Sequence, residues 1–401
     1  MQHVVITGLG PVSSIGIGIA AFSEALAGGR SGISPITSFD SSGFPHIHAG
    51  EVRNFRPETI LRHLDPSAAG RSTLFAAAAA RLAVEDAMLD LEALPSDEVG
   101  VVIGTTSGEP TIVEGMTAQL LAHGFGSVPG EMFRQSTADR LSHGVSEELG
   151  ISGASITLGN ACTASNAALG YAYDRLRNGD ATVMVAGGAD SVCRLMHAGF
   201  HRLGALAKDE CSPFDLRRSG LLTAEGGSVL VLETLAHARA RGAKPYAEVL
   251  GYAANCDAAN IVSPDVASIA RCMRTAHRNT SVTPSEIDYI CAHGTGTRTN
   301  DLVEVRAIRD VFGDDMPPIS SIKSMLGHTM GAASGFGAIA SALAIANGIL
   351  PPTINFTSSD PALGSIDPVA NVSRRARVRI AQNNGFAFGG NNTILILGAC
   401  V

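Results

Sequence analysis

Tryptophan is absent from the sequence and tyrosine occurs only five times. Charged residues make up 16% of the chain, against a usual ~25%. With hydrophobic residues at 45%, this scarcity of charge argues against a disordered chain, which needs the opposite balance. Basic residues give no excess either: the net charge is −8, so the global signature of a nucleic-acid binder is missing. Cys-x-x-Cys is absent. The seven cysteines (Cys162, Cys193, Cys211, Cys256, Cys272, Cys291, Cys400) are odd in number and widely spread, which argues against a disulfide scaffold or a structural zinc site. No apolar run of about 18 residues is free of breakers. The richest, Gly335 to Leu350, ends at Pro351-Pro352 and reads as a core helix rather than a membrane span. The start, MQHVVITGLG, has no basic region leading into a long apolar one and reads as a first strand, not a signal peptide. A soluble, cytoplasmic protein is the expectation.

Glycine and alanine supply what the aromatics do not. Glycine is 45 of 401 residues, about 11% against a usual ~7%, which suits backbones packed at close range. Short apolar runs predict strands at Val4–Thr7, Val99–Ile103, Ser155–Leu158, Thr182–Ala186, Ser228–Glu233, Ala247–Tyr252, Tyr289–Ala292, Ile319–Ile322 and Thr393–Leu397. Helices are predicted at Ile19–Ala27, Ser72–Leu91, Ser165–Asn178, Val266–Asn279, Leu302–Phe312 and Ser334–Asn347. The alternation predicts an α/β fold, and the continuous apolar strands predict sheets covered on both faces. A seam falls in ARARGAKP, dividing the chain into residues 1–243 and 244–401 with no long linker between them. The two series of strands and helices have similar logic, but no repeat is visible in the residues.

Four segments can carry chemistry. Cys162, in LGNACTASNAALG, follows a strand and a tight turn and precedes a small-residue helix. A thiol at a helix N-terminus is favoured as thiolate. His293 is delivered by an apolar strand into HGTGTRTND, where Thr295 and Thr297 place hydroxyls at period two. Lys323 and His328 lie in SSIKSMLGHTMGAASG, and a buried lysine there needs an acidic partner or carbonyls. Phe386 and Phe388, among Gly385, Gly389 and Gly390, precede the terminal strand; they suit either a packed turn or a mobile aromatic wall offering an N–H to an oxyanion. A thiol with imidazole partners points to acyl transfer or hydrolysis through a thioester. Two other features carry little. Gly8-x-Gly10-x-x-Ser13 lacks the third glycine and the acidic residue of a dinucleotide loop, and His46-x-His48 has no further metal ligand nearby in sequence.

Taken in order, VVITGLGPVSSIG, NAC, CSPFDLRRSGLLTAEGG, HGTGTRTND, KSMLGHTMGAA and GFAFGGNN resemble the β-ketoacyl-acyl-carrier-protein synthases of the elongating ketosynthase II type, over essentially the whole chain. The resemblance implies a thiolase-like layered αβαβα fold built from two packed, similar halves, the first carrying the nucleophile and the second the histidines. It implies a decarboxylating Claisen condensation of an acyl-Cys162 intermediate with a malonyl thioester. His293 and His328 would hold the malonyl carbonyl, and the N–H groups of Cys162 and Phe388 would form the oxyanion hole. Phe388 would gate the site. Lys323 would support His328, with Glu304 as its acidic partner; Asp301 is as readily structural. Thr295 and Thr297 would meet the phosphopantetheine arm, and Ser107, Phe200 and Phe386 the acyl chain. No metal or bound cofactor is implied, because acyl carrier protein brings the substrates. The protein would be a dimer, either of identical chains or with a chain-length-factor-like subunit, without nucleic acid or membrane.

The Cys-His-His set separates the chain from ketosynthase III and chalcone-synthase types, which resemble Cys-His-Asn. The missing cysteine in GFAFGG separates it from thiolases. GNACTAS, VIGTTSGEP and the weakly basic DPSAAGRSTLF depart from housekeeping patterns and favour a type II polyketide or polyene enzyme over general fatty acid elongation. The alternative is a non-catalytic or decarboxylase-only partner subunit. An acidic carrier would need a local basic patch on this acidic chain. Arg62, His63, Arg71, Arg202 and Lys208 are candidates, as are Arg374, Arg375, Arg377 and Arg379.

Overall fold

The computed structural model describes residues 2–400. Its principal strands are β1 (Val4–Ser13), β2 (Val99–Thr105), β3 (Ser155–Gly159), β4 (Val183–Asp190), β5 (Gly226–Thr234), β6 (Ala247–Cys256), β7 (Tyr289–Cys291), β8 (Ile319–Ser320), β9 (Ile380–Phe386) and β10 (Asn391–Gly398). Its helices are α1 (Ile19–Ala27), α2 (Arg71–Asp86), α3 (Pro110–His123), α4 (Gly130–Ser136), α5 (Arg140–Leu149) and α6 (Ala164–Asn178). They continue as α7 (Arg194–Arg202), α8 (Leu235–Ala240), α9 (Val266–Thr280), α10 (Arg298–Phe312), α11 (Lys323–Leu326) and α12 (Ala333–Asn347).

The pairings reveal a duplication. The strands run β8-β7-β9-β10-β6-β1-β5-β4-β2-β3, within an 11-stranded sheet whose remaining member, Gly16–Ile17, pairs with β1. Read outward from the β6–β1 junction, each half places its first, fifth, fourth, second and third strands in that order. In each half the first two pairings are antiparallel and the next two parallel. The halves meet where Val4, Val5 and Ile6 pair with Val249, Glu248 and Ala247. Helix α2 covers the outer face of the first half, and α9, with α10 packed on it, that of the second. Helices α6 and α12 lie between, touching each other and strands of both halves. This is the αβαβα layering of the thiolase-like fold.

Small residues make the central layer possible. A side chain at Gly335 would come within 2.2 Å of Ser228 Oγ, and one at Gly337 within 2.2 Å of Asn383 Oδ1. Residues Met330–Asn347 are long and apolar enough to cross a membrane by composition, with mean hydropathy 1.3, yet 83% of that segment is buried inside the protein. A helix flanked by sheet on two sides is apolar all round for that reason.

Several regions depart from the sequence expectation. Strand β9 was not expected, because Gln382, Asn383 and Asn384 interrupt its apolar pattern; all three are buried and hydrogen bonded. Helices α3 to α5, α7, α8 and α11 are also absent from the sequence expectation. Helix α2 stops at Asp86 instead of continuing to Leu91, since Met88 takes a left-handed φ of 49°.

Candidate active site

The duplication sets the stage. In each half, loops leave the C-terminal ends of the second and third strands toward the central layer. Cys162 follows β3, the third strand of the first half, and His328 follows β8, the third of the second. His293 follows β7, while Phe388 sits in the hairpin joining β9 to β10.

Cys162 lies in the single turn Ala161–Thr163 that leads into α6. Ala161 is forced to φ 46°, and Asn160 braces the bend through its Nδ2 bond to Thr163 Oγ1 at 2.8 Å. Left-handed alanine costs roughly 1–2 kcal/mol, so surrounding packing must hold the turn. The Lys323 cation and the N–H groups of Phe388 and of Cys162 itself favour thiolate. Burial opposes them more strongly and the Asp190 carboxylate adds to it, so the thiol is pushed up to about 11. The expected helix-terminus activation is thus outweighed by desolvation. Alkylation of Cys162 by iodoacetamide should accordingly rise about tenfold per pH unit from pH 7 to 9 without levelling, because only the thiolate reacts. A pH–rate series against Cys162→Ala checks this; a plateau below pH 8.5 would contradict it.

His293 and His328 face each other edge-on, ring centroids 5.5 Å apart at 83°. Burial and the nearby Lys323 cation hold both well below the usual imidazole range, so both are neutral near pH 7. Nδ1 of His328 accepts the Met330 N–H at 3.2 Å. Neutral His328 therefore carries its proton on Nε2. Lys323 forms no hydrogen bond to His328: its Nζ donates to the His293 carbonyl oxygen at 2.6 Å, and its cation acts on His328 through space. Nor does Glu304 bond to Lys323. Its carboxylate accepts the N–H groups of His293 and Gly294 at 2.8 and 2.7 Å and the Asn384 amide at 2.9 Å. The loop carrying His293 is therefore gripped at its carbonyl by a cation and at its amides by an anion.

A cavity of about 350 Å³ opens onto these groups. Cys162, His293, His328, Thr295, Thr297, Phe200, Phe386 and Phe388 all line it, so eight of the expected residues converge. Thr295 and Thr297 bring their hydroxyls within 2.9 Å of each other. Phe200 packs on Phe388 at 5.6 Å, and Phe386 on His293 at the same separation. Lys323, Glu304, Asp301 and Ser107 do not line the cavity, so the expected acyl-chain contact of Ser107 is not seen there. Asp301 accepts the N–H groups of Phe214 and Gly296 and lies 3.7 Å from Arg218, which ties loops together without reaching the cavity. Ser107 donates its hydroxyl to Met196 Sδ at 3.3 Å.

Residues 1–238 match the β-ketoacyl synthase N-terminal domain and residues 246–357 the β-ketoacyl synthase C-terminal domain. The chain belongs to the β-ketoacyl synthase family. It is 37% identical over 405 residues to 3-oxoacyl-[acyl-carrier-protein] synthase 2 of Synechocystis sp., covering 98% of this chain and 97% of that one. Against the Coxiella burnetii synthase 2 the identity is 35%, over 99% and 98%. Among solved structures, a chain of the ishigamide ketosynthase/chain length factor is 45% identical with TM-score 0.98, covering all of both chains. A chain of AntDE:AntF, a type II polyketide synthase acyl-carrier protein in complex with its ketosynthase, is 30% identical with TM-score 0.91, again over all of both.

Several residues of this β-ketoacyl synthase site were missed from sequence. Asn384 braces Glu304 from the unexpected strand β9. Arg298, the first residue of α10, lines the cavity mouth. Asp190 ends β4, buried, beside the site. Its signal was an acid closing the apolar run VMVAGGAD, where burial demands dedicated donors. Among the described residues, no group of three or more His, Cys, Asp or Glu is arranged to hold a metal ion.

Proposed function

We propose that the protein catalyses the decarboxylating Claisen condensation of an acyl-Cys162 intermediate with a malonyl thioester on acyl carrier protein, yielding a β-ketoacyl thioester. The observation that carries this reading is the opening of one thiol and two neutral imidazoles into a single cavity. Cys162 Sγ takes the acyl group and releases the carrier thiol. The malonyl thioester then binds with its carbonyl oxygen against the imidazole N–H donors. As the carbon–carboxylate bond breaks, CO2 leaves and the electron pair moves onto that oxygen, where the donors stabilise charge only as it develops. The enolate carbon attacks the acyl carbonyl. The N–H groups of Cys162 and Phe388 receive the resulting oxyanion, and its collapse expels Cys162 as the leaving group. Neutral histidines suit this role, because a donor is needed and no proton need be transferred. The reading requires no metal or prosthetic group beyond the carrier's phosphopantetheine arm, and it places the protein in the cytoplasm.

For the pathway, we favour type II polyketide or polyene synthesis, with a chain-length-factor-like subunit as partner in place of a second identical chain. The 45% identity to the ishigamide chain supports this, beside 37% and 35% to the synthase 2 relatives. An apolar face supports a partner of some kind: Leu121 is 81% exposed and Phe125 72%, with Leu120, Phe133 and Leu195 also exposed. Of the basic residues considered for carrier docking, Arg71 is withdrawn, since it is held by Glu225. Arg62, Arg374 and Arg379 are paired with Glu85, Asp367 and Asp288. Arg202 and Lys208 are exposed, form no ion pair among the described residues, and flank Leu203, Gly204 and Ala205 at the cavity mouth. Intact-mass spectrometry of carrier-bound products, with and without the neighbouring ketosynthase-like subunit, tests the reaction. The extended β-keto product is expected; a carrier left bearing only its starting acyl group in both arms would refute it. Reversing Arg202 and Lys208 together should lower turnover of carrier substrates on the order of tenfold while sparing a small thioester; equal losses would dismiss them as docking residues.

A further inference from the structure

Asp190 accepts four hydrogen bonds. Thr105 Oγ1 and Ser107 N donate to its Oδ1 at 2.7 and 3.2 Å, and Thr106 N and Gly331 N to its Oδ2 at 2.8 and 2.6 Å. The residue is 1% exposed, and no cation pairs with it among the described residues. Four converging neutral donors suit a carboxylate, which only accepts.

The donor from Gly331 joins Asp190 to His328. Gly331 follows Met330, which is held at φ 51° and donates its N–H to His328 Nδ1. Gly331 is also pinned on its other side, where its carbonyl, in the next peptide unit, accepts the Ser165 hydroxyl at 2.5 Å. Ser165 lies in the first turn of α6, three residues after Cys162. Gly331 has no room to shift: a side chain there would lie 2.6 Å from Asp190 Oδ2 and 2.7 Å from the Thr105 backbone. Left-handed Met330 is strained and would relax if its neighbour were released. Its N–H would then leave Nδ1, and the imidazole could carry its proton on either nitrogen.

We propose that Asp190 is a positioning residue, which, with Ser165, locks Gly331 so that His328 presents Nε2–H, and not a lone pair, to the substrate carbonyl. This inference rests on the reading of His328 as a donor to the malonyl thioester. Loss of the lock removes the fixed Nε2–H donor at one of the two enolate contacts, while at the thiol it removes only a charge that opposes thiolate.

The split is testable in the full-length protein with a malonyl thioester and iodoacetamide. Asp190→Ala should lower CO2 release tenfold to a hundredfold, the order associated with small misplacements of a reacting group. Cys162 alkylation should be unchanged or faster, since the Asp190 charge opposes thiolate formation. Asp190→Asn should recover part of the lost CO2 release, because an amide oxygen can still accept the Thr106 and Gly331 N–H groups, whereas its NH2 group meets the Thr105 hydroxyl and the Ser107 N–H, the latter keeping Thr105 Oγ1 as its acceptor. Ser165→Ala should show a milder form of the same split and carries the test if Asp190→Ala does not fold. Unaltered CO2 release in Asp190→Ala and Ser165→Ala would overturn the proposal. So would a parallel fall of CO2 release, alkylation and melting temperature, which indicates support of the fold alone. His328→Asn in the same assay separates the two ideas: if it leaves CO2 release intact, the reading of the site fails, not the lock.

Discussion

Cys162→Ala will abolish chain extension while CO2 release from a malonyl thioester continues. Extension should fall by about 10⁴-fold or more, the scale on which removal of a covalent nucleophile is felt, because no acyl-enzyme can form. Decarboxylation should keep at least roughly a tenth of its rate, since the charge that develops in that step is met by the imidazoles. The substitution is small. It removes one buried sulfur and keeps the backbone N–H that belongs to the oxyanion site, so the His293–His328 pair need not move. Carrier-bound products read by mass spectrometry report extension, and evolved CO2 reports decarboxylation. Extension surviving in the variant would remove Cys162 from its role. Loss of both activities together, with an unchanged melting temperature, would mean that the thiol also serves the malonyl step.

The residues at the ends of strands were the legible part of this site. Cys162, His293, His328 and Phe388 each follow or precede an apolar run and stand among glycines and small residues, and all four line one cavity. The supporting layer was not legible, for identifiable reasons. Strand β9 carries buried amides where an apolar run was sought; Asn383 bonds to Asn166 and Ser334, and Asn384 to Glu304, so polarity is satisfied by partners distant in sequence. The resemblance implies Glu304 as the acidic partner of Lys323, while the residues alone leave either an acid or carbonyls open, and the structure shows the carbonyl. Each instead binds backbone of the His293 loop, a choice that depends on the spacing of β7 from α10 and α11. The thiol was expected to be activated because a helix terminus can be read from the residues around it. Its burial cannot be, and burial decides. The duplication follows from the resemblance and not from the residues themselves, because the halves share strand order and direction while their residues answer to different neighbours.

His328 gives a graded set of expected outcomes. His328→Asn should lower decarboxylation about a hundredfold, or ~2.7 kcal/mol of transition-state stabilisation, and His328→Ala should lower it further. An asparagine can reproduce half of the native arrangement, since its Oδ1 can accept the Met330 N–H that Nδ1 now accepts. Its Nδ2 still points outward as a donor but stops roughly 1 Å short of Nε2, and misplacement on that scale costs about 10² in rate. Alanine loses the donor and also leaves the buried Met330 N–H without a partner, so destabilisation of about 1–3 kcal/mol joins the catalytic defect. Protonation provides an independent check. Burial and the Lys323 cation hold His328 well below the ordinary imidazole value, so the wild-type decarboxylation rate should show no acid limb near pH 6.5. A limb at that pH would mean that one imidazole titrates like a solvated histidine, and unaffected CO2 release in His328→Asn would place the enolate contact elsewhere in the cavity.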